Sequence, residues 1–197
     1  MKKSVKYVIL VLIVVVGFIG VTVLYDKLSK DYEPKTGFVV EGSEATTEVA
    51  TEEQPAEGQV KTVEDFRLQD WDGNEITLYS KVGKPMIINF WASWCSPCKE
   101  EMEDFQKAYE EYGDEVEFMM VNLTDNTSET VDIAKEFIES KGYTFPVYFD
   151  VYQEGAVKYE IMSIPTTFLL DGEGNFVARA QGMISYNTLI QGIEMIK

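Results

Sequence analysis

A chain of 197 residues, 45% of them hydrophobic, is long enough for one packed domain with attachments. Its formal net charge of −17 excludes a nucleic-acid surface, which needs clustered Lys and Arg to neutralise phosphate, and equally a basic patch for anionic lipid. With no histidine there is no imidazole base, metal ligand or haem ligand, and two cysteines are too few for a disulfide-stapled scaffold.

In chain order, Lys2, Lys3 and Lys6 form a short end, residues 1–6, expected on the cytoplasmic side. An uncharged run of 19 residues follows, Tyr7–Tyr25. As a helix it measures roughly 28 Å, enough for a hydrocarbon core of about 30 Å. Tyr7 and Tyr25 mark its two ends, where aromatic rings favour the interface. Residues 7–25 are therefore expected to be a single-pass signal anchor in contact with the lipid bilayer. A cleaved signal peptide is the competing reading, but no small-residue cleavage site follows, and no cysteine is present for a lipoprotein. Lys27, Lys30 and Lys35 nearly balance the first three lysines, so charge alone leaves orientation open.

Residues 26–60 are expected to be an acidic flexible linker. From 31 to 60 the chain carries eight acidic residues and one basic one, Lys35, with few large apolar residues. Such a stretch buries too little apolar surface to offset its ordering entropy. As a coil, 30 residues span about 30 Å.

Residues 61–197 read as one α/β domain. Val63–Leu68 and Glu75–Leu78 are expected as short strands around Asp72-Gly73-Asn74. The apolar run Met86–Trp91 predicts a buried strand. Ser96–Tyr112 predicts a helix opened by Pro97 and closed by Gly113, with Met102, Phe105 and Tyr109 on one face. Val116–Leu123 is the next strand and Ser128–Lys141 the next helix, its Val131, Ala134, Phe137 and Ile138 inward and Gly142 its stop. Pro146–Phe149 is a short strand, and Thr166–Leu170 with Phe176–Ala180 a hairpin across Asp171–Asn175. Ser185 caps a last helix with Leu189, Ile193 and Ile196 toward the core. This order implies a mixed sheet with helices on both faces.

The chemistry is concentrated in Trp94-Cys95-Ser96-Pro97-Cys98, placed between a buried strand and a helix start. At the helix amino end, Cys95 lies near unpaired N–H groups and the positive end of the dipole, which favour thiolate over thiol. It is the candidate nucleophile. Cys98, one turn in, is placed to resolve a mixed disulfide. Zinc would need four ligands and haem attachment a following His, where this chain has Lys99. A structural disulfide across so short a loop would remove little chain entropy. No metal site or cofactor is expected.

The segment Asn89–Lys99 resembles the active-site segment of the thioredoxin superfamily, and more closely its membrane-anchored TlpA/ResA-like branch. The lead-in Phe66–Gly73, Gly83-Lys84-Pro85, Cys98-Lys99-Glu100-Glu101 and Ile164-Pro165-Thr166-Thr167-Phe168 agree with that branch. The resemblance covers roughly residues 60–197. It implies a thioredoxin fold with an inserted helix and strand at about Thr127–Phe149. It also implies a cis Pro165 beside the cysteine pair, and an Ile164 backbone that pairs with an extended substrate segment. Trp94, Pro97, Ile164 and Pro165 are the expected substrate contacts. Glu101 matches the branch's active-site glutamate. Cytoplasmic thioredoxins carry Asp where Asn89 stands, so Glu101 is the expected proton carrier, partly buried and with a raised pKa.

The resemblance implies a thiol–disulfide oxidoreductase at the bacterial cell membrane, with its catalytic domain extracytoplasmic. Its partners would be disulfide-containing exported proteins, in apocytochrome c maturation or reduction of a repair enzyme, and a membrane thiol donor. A disulfide-forming oxidase and a non-catalytic peptide-binding or chaperone module are the alternatives, and copper delivery is disfavoured because the chain has no histidine. Peroxide reduction is disfavoured by Ala92 and Ile88, where a peroxiredoxin would carry Thr or Ser and Pro.

Overall fold

The structure, a computed structural model, describes residues 37–39 and 63–197. The anchor expected at 7–25 and most of the expected linker lie outside the described residues. Among the described residues, no helix is long and apolar enough to cross a membrane.

Seven strands form one mixed sheet: β1 Arg67–Gln69, β2 Glu75–Thr77, β3 Met86–Trp91, β4 Glu117–Asn122, β5 Val147–Phe149, β6 Thr166–Leu170 and β7 Phe176–Gln181. Their spatial order is β2-β1-β5-β4-β3-β6-β7. β3 is an interior strand, parallel to β4 and antiparallel to β6. Every residue of β3 is buried, because the sheet is covered on both faces. The side-chain period of two divides the strand. Ile87 and Trp91 enter one core; Met86, Ile88 and Phe90 enter the other. Asn89 falls on the Ile87–Trp91 face by the same alternation, and that placement makes it part of the site.

The first core is closed by α1 (Ser96–Tyr112), α2 (Val131–Lys141) and α4 (Tyr186–Ile196). On α1 the inward stripe is Cys98, Glu101, Met102, Phe105 and Ala108, the three-and-four spacing of one helix face. α4 opens where Ser185 Oγ accepts from Thr188 N, and its Leu189, Ile193 and Ile196 are buried. This is the thioredoxin-like α/β architecture that the resemblance implies, and α2 and β5 fall within residues 127–149.

Four details differ from expectation. Of the first expected strand, Val63–Leu68, only Arg67 and Leu68 join a ladder, which runs on to Gln69. α2 begins at Val131, capped by Thr130, because Ser128 is taken up in a turn around the Asp125 carboxylate. A short helix, α3 (Glu154–Lys158), was not expected; five residues show no readable periodicity. It opens where the Asp150 carboxylate accepts from Gly155 N and Ala156 N. A Cβ on Gly155 would approach the Phe66 ring to 2.5 Å, so only glycine lets α3 lie this close to the second core. Finally, Val39 pairs with Arg179 on the outer edge of β7 through two backbone hydrogen bonds, 2.7 and 3.1 Å. Gly37–Val39 fall inside the 26–60 segment read from sequence as a tether.

Candidate functional site

The site forms where β3 gives way to α1. Cys95 is the N-cap of α1, and its Sγ accepts from Cys98 N at 3.2 Å. That contact uses an amide that has no partner within the helix, the feature that favours a thiolate at this position. Cys95 and Cys98 are joined as a disulfide. Cys95 is 5% exposed and Cys98 fully buried, so an incoming sulfur reaches only the first.

Facing Cys95 is the loop before β6. The Ile164–Pro165 bond is cis, and the Ile164 carbonyl oxygen lies 3.7 Å from Cys95 Sγ. Three bonds brace this loop from within. Gly182 N donates to Pro165 O (2.8 Å), Thr166 Oγ1 to Ser163 O (2.8 Å) and Gln181 Nε2 to Ser163 Oγ (2.7 Å). Trp94 is 62% exposed beside the disulfide, and Pro97 lies exposed in the first turn of α1. The structure thus brings Trp94, Cys95, Pro97, Cys98, Ile164 and Pro165 to one end of the sheet.

Glu101 is one turn beyond Cys98 on the same helix face and is 1% exposed. Asn89 Nδ2 donates to its Oε1 at 2.8 Å, and Ile184 N donates to its Oε2 at 3.0 Å. Burial pushes its pKa up to about 8, against the downward pull of those two donors. Asn89 Nδ2 also reaches Thr167 Oγ1 at 3.1 Å, whereas Asn89 Oδ1 is buried and has no partner.

A second buried carboxylate, Glu129, was not expected. Its Oε1 accepts from Ser93 N (2.8 Å) and Asn122 Nδ2 (2.6 Å), and its Oε2 from Ser93 Oγ (2.6 Å). It therefore ties the loop that presents Trp94 and Cys95 to β4. Ser93 and Glu129 are 36 residues apart, and no local pattern announces a pair at that distance. Among the described residues, no three His, Cys, Asp or Glu side chains are grouped to hold a metal ion.

A dithiol–disulfide pair with one reachable sulfur, one buried partner and a cis-proline loop opposite can exchange disulfides by two successive displacements. The comparisons with known proteins agree. The model of the AhpC/TSA family matches residues 60–179. Sporulation thiol-disulfide oxidoreductase A of Bacillus subtilis is 36% identical over 126 residues, covering 64% of this chain and 72% of that one. Thiol-disulfide oxidoreductase ResA of the same organism is 32% identical over 133 residues, covering 67% and 72%. The crystal structure of StoA from Bacillus subtilis superposes with a TM-score of 0.58 at 31% identity, covering 66% of this chain and 96% of that one.

Proposed function

Because the chain belongs to the AhpC/TSA family and is a thiol–disulfide oxidoreductase closely related to ResA- and StoA-type proteins, we propose that it is a membrane-tethered, extracytoplasmic reductase of disulfides in exported proteins. Its substrates would be apocytochrome c or a repair enzyme, and a membrane thiol donor would re-reduce it. The observation that carries the reading is the opposition of Cys95 Sγ and the Ile164 carbonyl ahead of cis Pro165, with Cys98 buried behind. An extended substrate strand laid along Ile164 brings its own disulfide to Cys95 and not to Cys98.

In the reduced protein the Cys95 thiolate attacks one sulfur of the substrate disulfide. A Cys95–substrate bond forms, the substrate S–S bond breaks, and the first substrate sulfur leaves as a thiolate that takes up a proton. Cys98 then gives up its proton and attacks Cys95 Sγ. The mixed disulfide breaks, the second substrate sulfur departs, and two electrons have passed to the substrate. This cycle leaves the protein with the Cys95–Cys98 disulfide, to be reduced again by the donor.

Glu101 is the group placed to receive the Cys98 proton. It lies one helical turn away, and a carboxyl with a pKa of about 8 is a stronger base than an exposed one. Asn89 and the Ile184 amide hold its two oxygens. Trp94 and Pro97 flank the approach to Cys95, and Glu129 fixes the loop that carries it.

The decisive measurement is the equilibrium reduction potential of the full chain in detergent. A value near about −270 mV makes oxidation of the pair favourable and supports a reductase. A value near about −120 mV means that the protein donates its disulfide, and the reading then gives way to the oxidase.

A further inference from the structure

A groove adjoins the cis-proline loop on the α3 side of the sheet. Its rim carries two of the most exposed apolar residues among those described, Met162 and Val157, at 86% and 74% exposure. Ala156, Glu160, Ile161, Arg179 and Gln181 complete its walls. The groove is linked to the disulfide site through the loop before β6. Met162 is two residues ahead of Ile164, and Gln181 holds the intervening Ser163 hydroxyl at 2.7 Å. Glu160 has a left-handed backbone, φ +49°, an uncommon conformation for a residue other than glycine, and Ile161 and Met162 leave from that bend.

Arg179 is the unusual member. The chain has two arginines. Arg67 is engaged by Glu154 and Glu75. Arg179 carries its guanidinium 5.3 Å above the Phe168 ring, its Nε is buried with no partner, and among the described residues no carboxylate pairs with it. Unmade hydrogen bonds on a buried donor are costly in a native structure. In a chain of net charge −17, a guanidinium that has no carboxylate partner among the described residues can take an external anion.

We infer that this groove is a second contact for the substrate polypeptide. It takes a carboxylate side chain on Arg179 and a neighbouring apolar side chain on Met162 and Val157. The inference rests on the reductase reading and adds to it a substrate class: disulfides flanked by an acidic and an apolar residue. An extended strand advances about 3.3 Å per residue, so a segment paired at Ile164 reaches the groove within about two to four residues of its reacting cysteine. The guanidinium, planar and already held over the Phe168 ring, loses little freedom when it binds a carboxylate.

The test uses the reduced full chain in detergent and synthetic peptides that share one intramolecular disulfide. Glu or its isostere Gln is placed at each of the four positions on either side of the reacting cysteine. The readout is the second-order rate constant for peptide reduction. The expected result is a Glu-over-Gln preference at one position of about tenfold, the size of one charge-assisted hydrogen bond, with the ratio falling to one in Arg179→Gln. Equal rates for Glu and Gln at every position in the wild-type chain would overturn the groove and leave the reductase reading standing. If no peptide is reduced, the reductase reading itself falls, and the groove with it.

Discussion

Asn89 on β3 donates through Nδ2 to Glu101 Oε1 on α1, across 2.8 Å of fully buried interior. The pair joins an interior strand of the sheet to the helix that Cys95 caps and that carries Cys98. It also leaves an amide oxygen, Asn89 Oδ1, with nothing to accept from. A carboxylate at Glu101 requires Asn89 to present its NH2, whereas a protonated carboxyl could instead donate to Oδ1 if the amide turned. The orphaned oxygen is thus the acceptor that the protonated state would need.

The first prediction concerns pH and stability. Glu101 has a folded pKa raised to about 8 from an ordinary value of 4.5, with burial the main cause. The folded state therefore binds the proton more tightly than the unfolded chain. The stability linked to this proton is complete below the ordinary value and is lost as pH rises toward the folded one. Denaturation midpoints of the wild type should fall between about pH 5 and pH 8, while those of Glu101→Gln should not share the fall. Parallel curves for the two proteins would dismiss the assignment.

A second prediction tests the same residue in catalysis. With Glu101 as proton acceptor, resolution of a Cys95 mixed disulfide speeds up as pH rises through about 8. In Glu101→Gln that step should slow by about 10²-fold or more, the usual contribution of a positioned base, and lose its inflection. Single-turnover release of a thiol from a pre-formed mixed disulfide reads this step alone. An unchanged profile in the variant would remove Glu101 from the mechanism.

Asn89→Asp supplies the third. The new carboxyl would lie against the Glu101 oxygen that Asn89 now contacts at 2.8 Å. Two like charges so close in a buried setting cannot both ionise. The variant should resemble the wild type in stability near pH 5 and be less stable by about 2 kcal/mol or more at pH 9. A thermal melt at each pH decides, and equal midpoints at pH 9 would contradict the geometry.

The fourth prediction separates positioning from chemistry. Glu129 accepts three hydrogen bonds from Ser93 and Asn122. Glu129→Ala strands buried donors and should cost about 2–4 kcal/mol. It should also change the rate at which reduced Cys95 is alkylated, because the Ser93–Trp94 loop loses its tie to β4. Glu129→Gln keeps one acceptor oxygen and should restore most of both properties. A Gln variant as impaired as the Ala variant would show that the charge, and not the tie, matters.

The last concerns Gly192, in the interior of α4. A Cβ there would meet the Phe38 ring at 2.5 Å and Leu169 Cδ1 at 2.8 Å. Glycine inside a helix ordinarily costs about 1 kcal/mol relative to alanine, so Gly192→Ala on an empty surface would stabilise. Here it should destabilise and expose the bonds around Val39 to proteolysis. In a Phe38→Ala background much of that penalty should disappear. If Gly192→Ala stabilises the wild type, Phe38 does not occupy the helix surface at that point.

Sequence alone determined the order of the main elements of the domain, because their signals are local. Met86–Trp91 is apolar throughout, Ser96–Tyr112 starts with a cysteine cap and proline and repeats its apolar residues at helical spacing, and Ser185 and Gly142 mark helix ends. The cysteine pair was legible for the same reason, since its three-residue spacing and its place at a helix start are properties of one short segment. The resemblance supplied Pro165 and Glu101. Tertiary structure alone decided the rest: that Glu129 reaches back to Ser93, that Ile184 N and Asn89 hold Glu101, that Arg179 and Met162 share a groove, and that Val39 closes the edge of β7. Each joins segments far apart in the chain through a hydrogen bond or a packing contact. Such contacts depend on how the sheet and helices are arranged in space, and no local spacing encodes that arrangement.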